Sequence, residues 1–351
     1  MAKPERAPAP MRRTPRHRCV DVSMPRREGI RQIDKRQFQE ATCGGHPVKV
    51  IAEGLRFPEG PVALADGSVL VAEIAGGTIK RVDPDGTIAL VATVGGGPNG
   101  LALGPDGGLY VCNNGGLNFR QDGDYLRAGH GLPADYTTGS IQRVDLGTGT
   151  AETLYTHCGD IPLRGSNDLV FDADGGFYFT DFGKTVGRVR DIGAVFYARC
   201  DGSRIVEVIH PIANPNGIGL SPDGRTLYVA ETETCRLWAY PVLEPGKVEM
   251  GPLPSLNGGR LVAGLDGFQR FDSLAVDAAG NICVATLVTG CITVLSPRGD
   301  VLEQVRFPDP HTTNICFGGQ DMRTAFVTQS WTGKLIRTEW TQPGLRLNFQ
   351  S

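Results

Sequence analysis

The sequence predicts an all-β chain folded as a six-bladed β-propeller with four-stranded antiparallel blades. Three observations carry that expectation. A unit of hairpin character recurs six times. Glycine reaches 48 of 351 residues, about twice its usual share of roughly 7%. No long helical period competes with the short apolar runs.

Each unit opens on a polar or acidic residue followed by apolar ones: Glu59–Ala63, Asn99–Leu103, Asn167–Phe171, Asn216–Leu220, Asp272–Val276 and Thr313–Phe317. A turn rich in Gly or Asp comes next, as at Asp66-Gly67, Asp106-Gly107, Asp174-Gly175, Asp223-Gly224, Gly280 and Gly319. A second alternating run then enters: Val69–Ala72, Leu109–Cys112, Phe177–Thr180, Leu227–Ala230, Ile282–Ala285 and Ala325–Thr328. Strand, Asp-Gly turn, strand is the signature of a β-hairpin. Third strands follow at Thr78–Val82, Ser140–Val144, Cys235–Ala239 and Cys291–Leu295. The units are spaced by roughly 40 to 70 residues, the period of a propeller blade, and together cover about residues 47–340. The last unit runs out after Lys334–Glu339, so Val48–Ala52 is expected to supply its outer strand. That closure hides the blade edges. Residues 341–351 read as a C-terminal tail.

Composition bounds the function. A net charge of −3 offers no basic field for nucleic acid. No apolar run approaches the roughly 18 residues of a membrane span, so a soluble protein is expected. Residues 1–40 differ: they carry a net +6 against −9 for the remainder. The Arg- and Pro-rich stretch Lys3–Arg18 cannot form a core and reads as a disordered extension. A targeting peptide, a nucleic-acid arm, or a start site upstream of Met11 or Met24 are the other readings. Arg31–Gln39 is compatible with a short helix. The nine cysteines include no CxxC pair and no zinc spacing. They read as small buried hydrophobes in a reducing compartment. With no hydrophobic signal core at the N-terminus, the expected location is the cytoplasm. Monomer and homodimer both remain open.

In a propeller the innermost strand of each blade lines the axis, so its opening residue sits at one mouth of the channel. Here those residues are Glu59, Asn99, Asn167, Asn216, Asp272 and Thr313, and all six carry oxygen acceptors. Gathering two carboxylates and several carboxamides in a half-buried channel is unfavourable unless a positive charge joins them. A divalent cation meets that need: calcium first, with magnesium, manganese or zinc as alternatives. No His or Cys stands at these positions, so a structural zinc site is not expected. The competing reading makes each Asn or Asp a local turn-former, and Asn99 fits it best.

These segments resemble the SMP-30/gluconolactonase/LRE-like family. The matching runs are Phe57–Pro61, Ser166–Asp172, Gly175–Asp181, Asn214–Gly224, Phe271–Asp277 and Thr312–Gly319. The resemblance implies a propeller with one catalytic divalent metal held by Glu59, Asn167, Asn216 and Asp272, and an activity that opens sugar lactones. It also implies an arginine near the third-blade Asn, for which Arg164 is the candidate. One departure is a long insertion in the second unit, about Leu117–Thr138, carrying Phe119, Tyr125, His130 and Tyr136. Loops on one rim of a propeller shape the substrate pocket, so this one is expected to alter the substrate.

Lactone opening needs a polarised carbonyl, a water nucleophile and a stabilised oxyanion. Asp272 is the expected general base as well as a ligand. Asn99 is expected to contact substrate or a bound water, Asp168 to position a ligand or substrate, and Arg164, Thr313 and His311 to stand among the substrate contacts. His311 reads either as a proton shuttle or as a plain surface histidine, and His130 as a surface residue. No GxSxG elbow supports a serine nucleophile. Two alternatives stand beside the lactonase: a phosphotriesterase or aryl-esterase on the same metal site, and a non-catalytic binding propeller. The last requires apolar or basic residues around the channel opening.

Overall fold

Six antiparallel sheets, five of them laid down wholly from the axis outward, build the ring in this computed structural model. The structure describes residues 42–43, 46–129 and 131–350. The basic segment 1–40, its Arg31–Gln39 helix and His130 lie outside the described residues.

The first blade runs Pro58–Ala63, Val69–Glu73, Thr78–Val82 and Ile88–Thr93. The other inner strands are Pro98–Leu103, Ser166–Phe171, Pro215–Leu220, Arg270–Val276 and Thr312–Gly318. Each packs beside the next, and the sixth beside the first. The Asp-Gly turns behave as their chemistry requires. Gly67 and Gly107 take φ of 85° and 74°, a region that glycine enters without a steric penalty. Asp66 and Asp106 accept the N–H groups of Ser68 and Gly108 at 3.0 and 3.1 Å. The ring closes as expected from the repeat. His46–Ala52 pairs antiparallel with Lys334–Glu339, with Val48 opposite Thr338 and Val50 opposite Ile336.

The apolar core is divided by the blades. Six clusters of buried side chains lie one at each blade–blade seam. The seam between the second and third blades is the most aromatic, with Tyr110, Phe171, Phe177, Phe179 and Phe196. Among the described cysteines seven are free thiols, and Cys112, Cys235, Cys283 and Cys291 are buried.

Residues 341–350 are packed against the ring. Gly344 bridges to Asp277, and the Leu345 N–H donates to the Val276 carbonyl at 2.9 Å. Asn348 and Gln350 donate side-chain N–H groups to the Phe171 and Phe317 carbonyls at 3.0 and 2.9 Å. This segment lies over the ends of the inner strands of blades three, five and six. Leu345, Leu347, Asn348 and Gln350 thus line the far end of the axial cavity, below Leu101, Val170, Ile218 and Ile315.

Candidate active site

The inner strands share an irregularity where they begin. In every blade the register between first and second strands shifts within the opening residues: Glu59/Val62, Pro98/Leu101, Ser166/Leu169, Pro215/Ile218, Phe271/Leu274 and Thr312/Asn314. Bulges release a residue from the ladder and re-aim its side chain. Repeated six times, the device turns the polar openings toward the axis. Room for them comes from glycine. A Cβ on Gly60 would overlap the Asn99 carbonyl, and one on Gly100 would lie 2.6 Å from the Asp168 Cα.

Glu59, Asn99, Asn167, Asp168, Asn216, Asp272 and Thr313 are all buried, none more than 8% exposed. Three carboxylates meet among them. Burial pushes the Asp272 carboxyl well up, and the negative charges of Glu59 and Asp168 push it further. Burial also raises Glu59. Asp168 is pushed up to about 7, by burial first and then by Glu59. Glu59 accepts the Gly60 N–H at 3.0 Å and the Asn314 side-chain amide at 3.1 Å. Asn216 donates from Nδ2 to Thr232 Oγ1 at 3.1 Å, while its Oδ1 accepts the Ser273 hydroxyl at 3.4 Å. Asn167 Oδ1 is buried and has no hydrogen-bond partner.

That orphaned oxygen, and carboxylates that push one another's pKa up, leave oxygen donors that a cation would suit. The donors are mixed carboxylate and carboxamide oxygens, the chemistry of hard divalent ions. Among the described residues no group of three or more His, Cys, Asp or Glu side chains stands in metal-holding geometry. Any ion here therefore draws on the amides of Asn167 and Asn216 as well as the acids.

Sequence reasoning missed several neighbours. Asn314, not only Thr313, faces Glu59: the Thr313 hydroxyl sits against Thr328 and Ser330 as well. Ser273 and Thr232 orient Asn216. A signal existed for two of these. The second residue of the unit is glycine in blades one, two and four, and is Asp168, Ser273 and Asn314 in the others. Lys184 carried no such signal. It is buried, donates to the Gly116 carbonyl at 2.9 Å, and lies 5.1 Å from the Tyr136 ring. Burial lowers its ammonium to about 8.

The insertion folds as the hairpin Phe119–Asp122 and Tyr125–Ala128 and docks on blade six. Leu126 N–H donates to the Trp331 carbonyl at 2.9 Å. Phe119 packs on Phe57 at 5.1 Å, and Phe57 edges His311 at 5.7 Å. Phe57 holds φ at 60°, a strained value for a bulky residue that persists because its neighbours fix it. His311 stacks on Trp331 at 4.6 Å and 8°. Burial, with the positive charges of Arg270 and Arg127, lowers its pKa to about 3, so it is a neutral ring in an aromatic wall. Arg164 stands at the rim, not in the acidic cluster. Its Nε donates to Asp191 Oδ2 at 2.9 Å, its carbonyl accepts the Tyr136 hydroxyl, and its guanidinium lies 5.8 Å from that ring.

Fold and site together define a six-bladed propeller with one acidic, amide-lined mouth on its axis. The chain belongs to the SMP-30/Gluconolactonase/LRE-like family, whose sequence profile matches residues 57–330. It is 30% identical to the lactonase drp35 of Staphylococcus saprophyticus over 282 residues, 80% of this chain and 78% of that one. It is 26% identical to the gluconolactonase of Zymomonas mobilis over 318 residues, 84% and 82% of the two chains. Among solved structures, a gluconolactonase of Xanthomonas campestris superposes with a TM-score of 0.66 at 22% identity, covering 86% of this chain and 91% of the other. The calcium-binding protein regucalcin of Agrobacterium tumefaciens gives 0.62 at 18%, covering 85% and 97%. At those identities the two structures speak to the fold alone.

Proposed function

We propose that this protein is a metal-dependent hydrolase that opens a lactone ring. The observation that carries the reading is the buried mouth where Glu59, Asp168 and Asp272 interact and Asn167 Oδ1 lacks a partner. The names of the relatives, lactonase and gluconolactonase, support the same class. Glu59, Asn167, Asn216 and Asp272 are the residues to hold the ion, with calcium foremost. A bound divalent ion would supply Lewis acidity toward the ester carbonyl and its developing oxyanion.

The chain's own groups do the rest. Asp272 accepts the proton of the attacking water at its carboxylate. Asn314 and Gly60 hold Glu59 in place through its Oε2. Thr232 and Ser273 hold the Asn216 amide from both ends, the outer support that fixes a ligand's orientation. Asp168 accepts its hydrogen bond from the Leu169 N–H at 2.9 Å and orients substrate beside Asp272. Asn99 offers its amide to substrate or water. The packed C-terminal segment limits solvent entry from the opposite end, so attacking water enters from the mouth.

The test is a pH-drop assay across aldonolactones, simple γ- and δ-lactones and aryl esters. Ca²⁺, Mg²⁺, Mn²⁺ and Zn²⁺ are each supplied to chelator-stripped protein. Lactone opening restored by a divalent ion is the expected result. Turnover indifferent to EDTA, or confined to aryl esters, would sink it.

A further inference from the structure

Around the acidic mouth the rim is cationic, and the chemistry above leaves these cations unused. Arg127, on the insertion hairpin, lays its guanidinium 4.4 Å over the Trp331 ring. His311 stacks on that same ring. Arg270 stands two residues before Asp272 on blade five, which neighbours blade six, and its positive charge acts on His311. Two guanidiniums therefore serve one neutral imidazole, on a shelf that Phe57 continues into Glu59.

Acidic partners do not cancel them. Arg127 Nη1 meets Asp122 at 3.1 Å, while its Nε is buried with no hydrogen-bond partner. Arg270 and Arg190 share the single carboxylate of Glu233, at 3.3 and 3.6 Å. Each guanidinium thus keeps N–H donors that no carboxylate takes up: Arg127 its Nε, and Arg270 and Arg190 by dividing one carboxylate between them. A lactone with no charge gains little from those donors. A planar monoanion gains more, because the guanidinium fork matches a carboxylate and the His311 ring adds an uncharged donor or acceptor.

We propose that Arg127 and Arg270, with His311 between them, form an anion subsite, and that the substrate is a lactone bearing a carboxylate. The inference rests on the lactonase reading for its reaction but not for its binding chemistry. The cations also steer such a substrate toward a mouth whose acids alone would repel it.

Calorimetry with tetrahydrofuran-2-carboxylate and the neutral tetrahydrofurfuryl alcohol tests the subsite without turnover, on calcium-loaded protein. The carboxylate is expected to bind at least roughly tenfold tighter. That preference should fall about threefold or more in Arg127→Gln and in Arg270→Gln, and shrink in the wild type as salt rises. Equal binding of the two, or a preference that survives both substitutions, overturns the proposal. A kinetic arm compares γ-butyrolactone with its γ-carboxylated form. A kcat/KM favouring the acid, and lost in both variants, is the expected result. Arginine-dependent binding without turnover of any lactone would retain the subsite and remove the lactonase reading.

Discussion

The two ends of the axial channel are lined by the same six strands and could hardly differ more. Where the strands begin, bulges interrupt the ladder at Glu59, Asn167, Asp168, Asn216 and Asp272, all buried, and the three acids among them act on one another. A few residues further along, Leu101, Val170, Ile218, Leu274 and Ile315 line the bore, and residues 345–350 cover it. One end is electrostatically frustrated and the other is satisfied by apolar packing and backbone hydrogen bonds. Buried charge that nothing pairs destabilises a fold, and the proposed function gives its retention at one end only a reason.

Substitutions at the two ends should separate accordingly. The largest effect is expected from Asp272→Asn, which removes the base and should lower kcat by roughly 10²–10⁴-fold. The same change relieves repulsion among the acids. Metal-stripped protein should therefore melt higher, by about 1–2 kcal/mol, with an unchanged circular dichroism spectrum. Wild-type rates in this variant would refute the assignment of the base. Deleting residues 344–351 is the mirror experiment. It strips the hydrogen bonds to Val276, Phe171 and Phe317 and bares apolar strand ends. A loss of roughly 2–4 kcal/mol in denaturant unfolding is expected, with KM within about threefold of the wild type. Activity lost without stability would mean that the far end takes part in the chemistry.

The aromatic wall gives a pH signature. His311 ionises at about 3 in the fold, against about 6.5 in an unfolded chain. Between those values the unfolded chain binds the proton and the folded one does not. Stability is therefore lost as pH falls below about 6.5. By pH 5 this residue accounts for about 2 kcal/mol, and His311→Gln should show that much less acid destabilisation between pH 7 and pH 5. An identical acid profile would show the ring to be protonated in place. The smallest effect is expected from Thr232→Val, which frees one end of the Asn216 amide. The calcium needed for half-maximal activity should rise about tenfold. No rise would show that Asn216 needs no such support.

Much of this was legible in the sequence because the repeat carries its own chemistry. Asp-Gly turns, alternating strands and a polar residue at each opening define both the blades and the ring of Glu59, Asn167, Asn216 and Asp272. What stayed hidden depends on packing between distant elements. Nothing near Phe119 or Arg127 says that their hairpin lands on Trp331, in blade six, two blades away around the ring. Lys184 reads as an ordinary surface lysine until Gly116 and Tyr136 enclose it. Arg164 likewise gives no sign in sequence of its partner Asp191. Residues 341–351 read only as a C-terminal tail, because the partners of Leu345, Asn348 and Gln350 are backbone carbonyls, which leave no mark on residue identity.

Blade six joins Val48 to Thr338, so its sheet draws on both extremities of the propeller. During synthesis five blades can hairpin as they emerge, each from local sequence. The circle stays open, with two raw seams, until the last strand leaves the ribosome and finds a partner made nearly three hundred residues earlier. Such distant pairing is slow. A fusion or tag that restrains residues 46–52 therefore threatens yield more than rate: it leaves each finished molecule sound and reduces how many are ever finished.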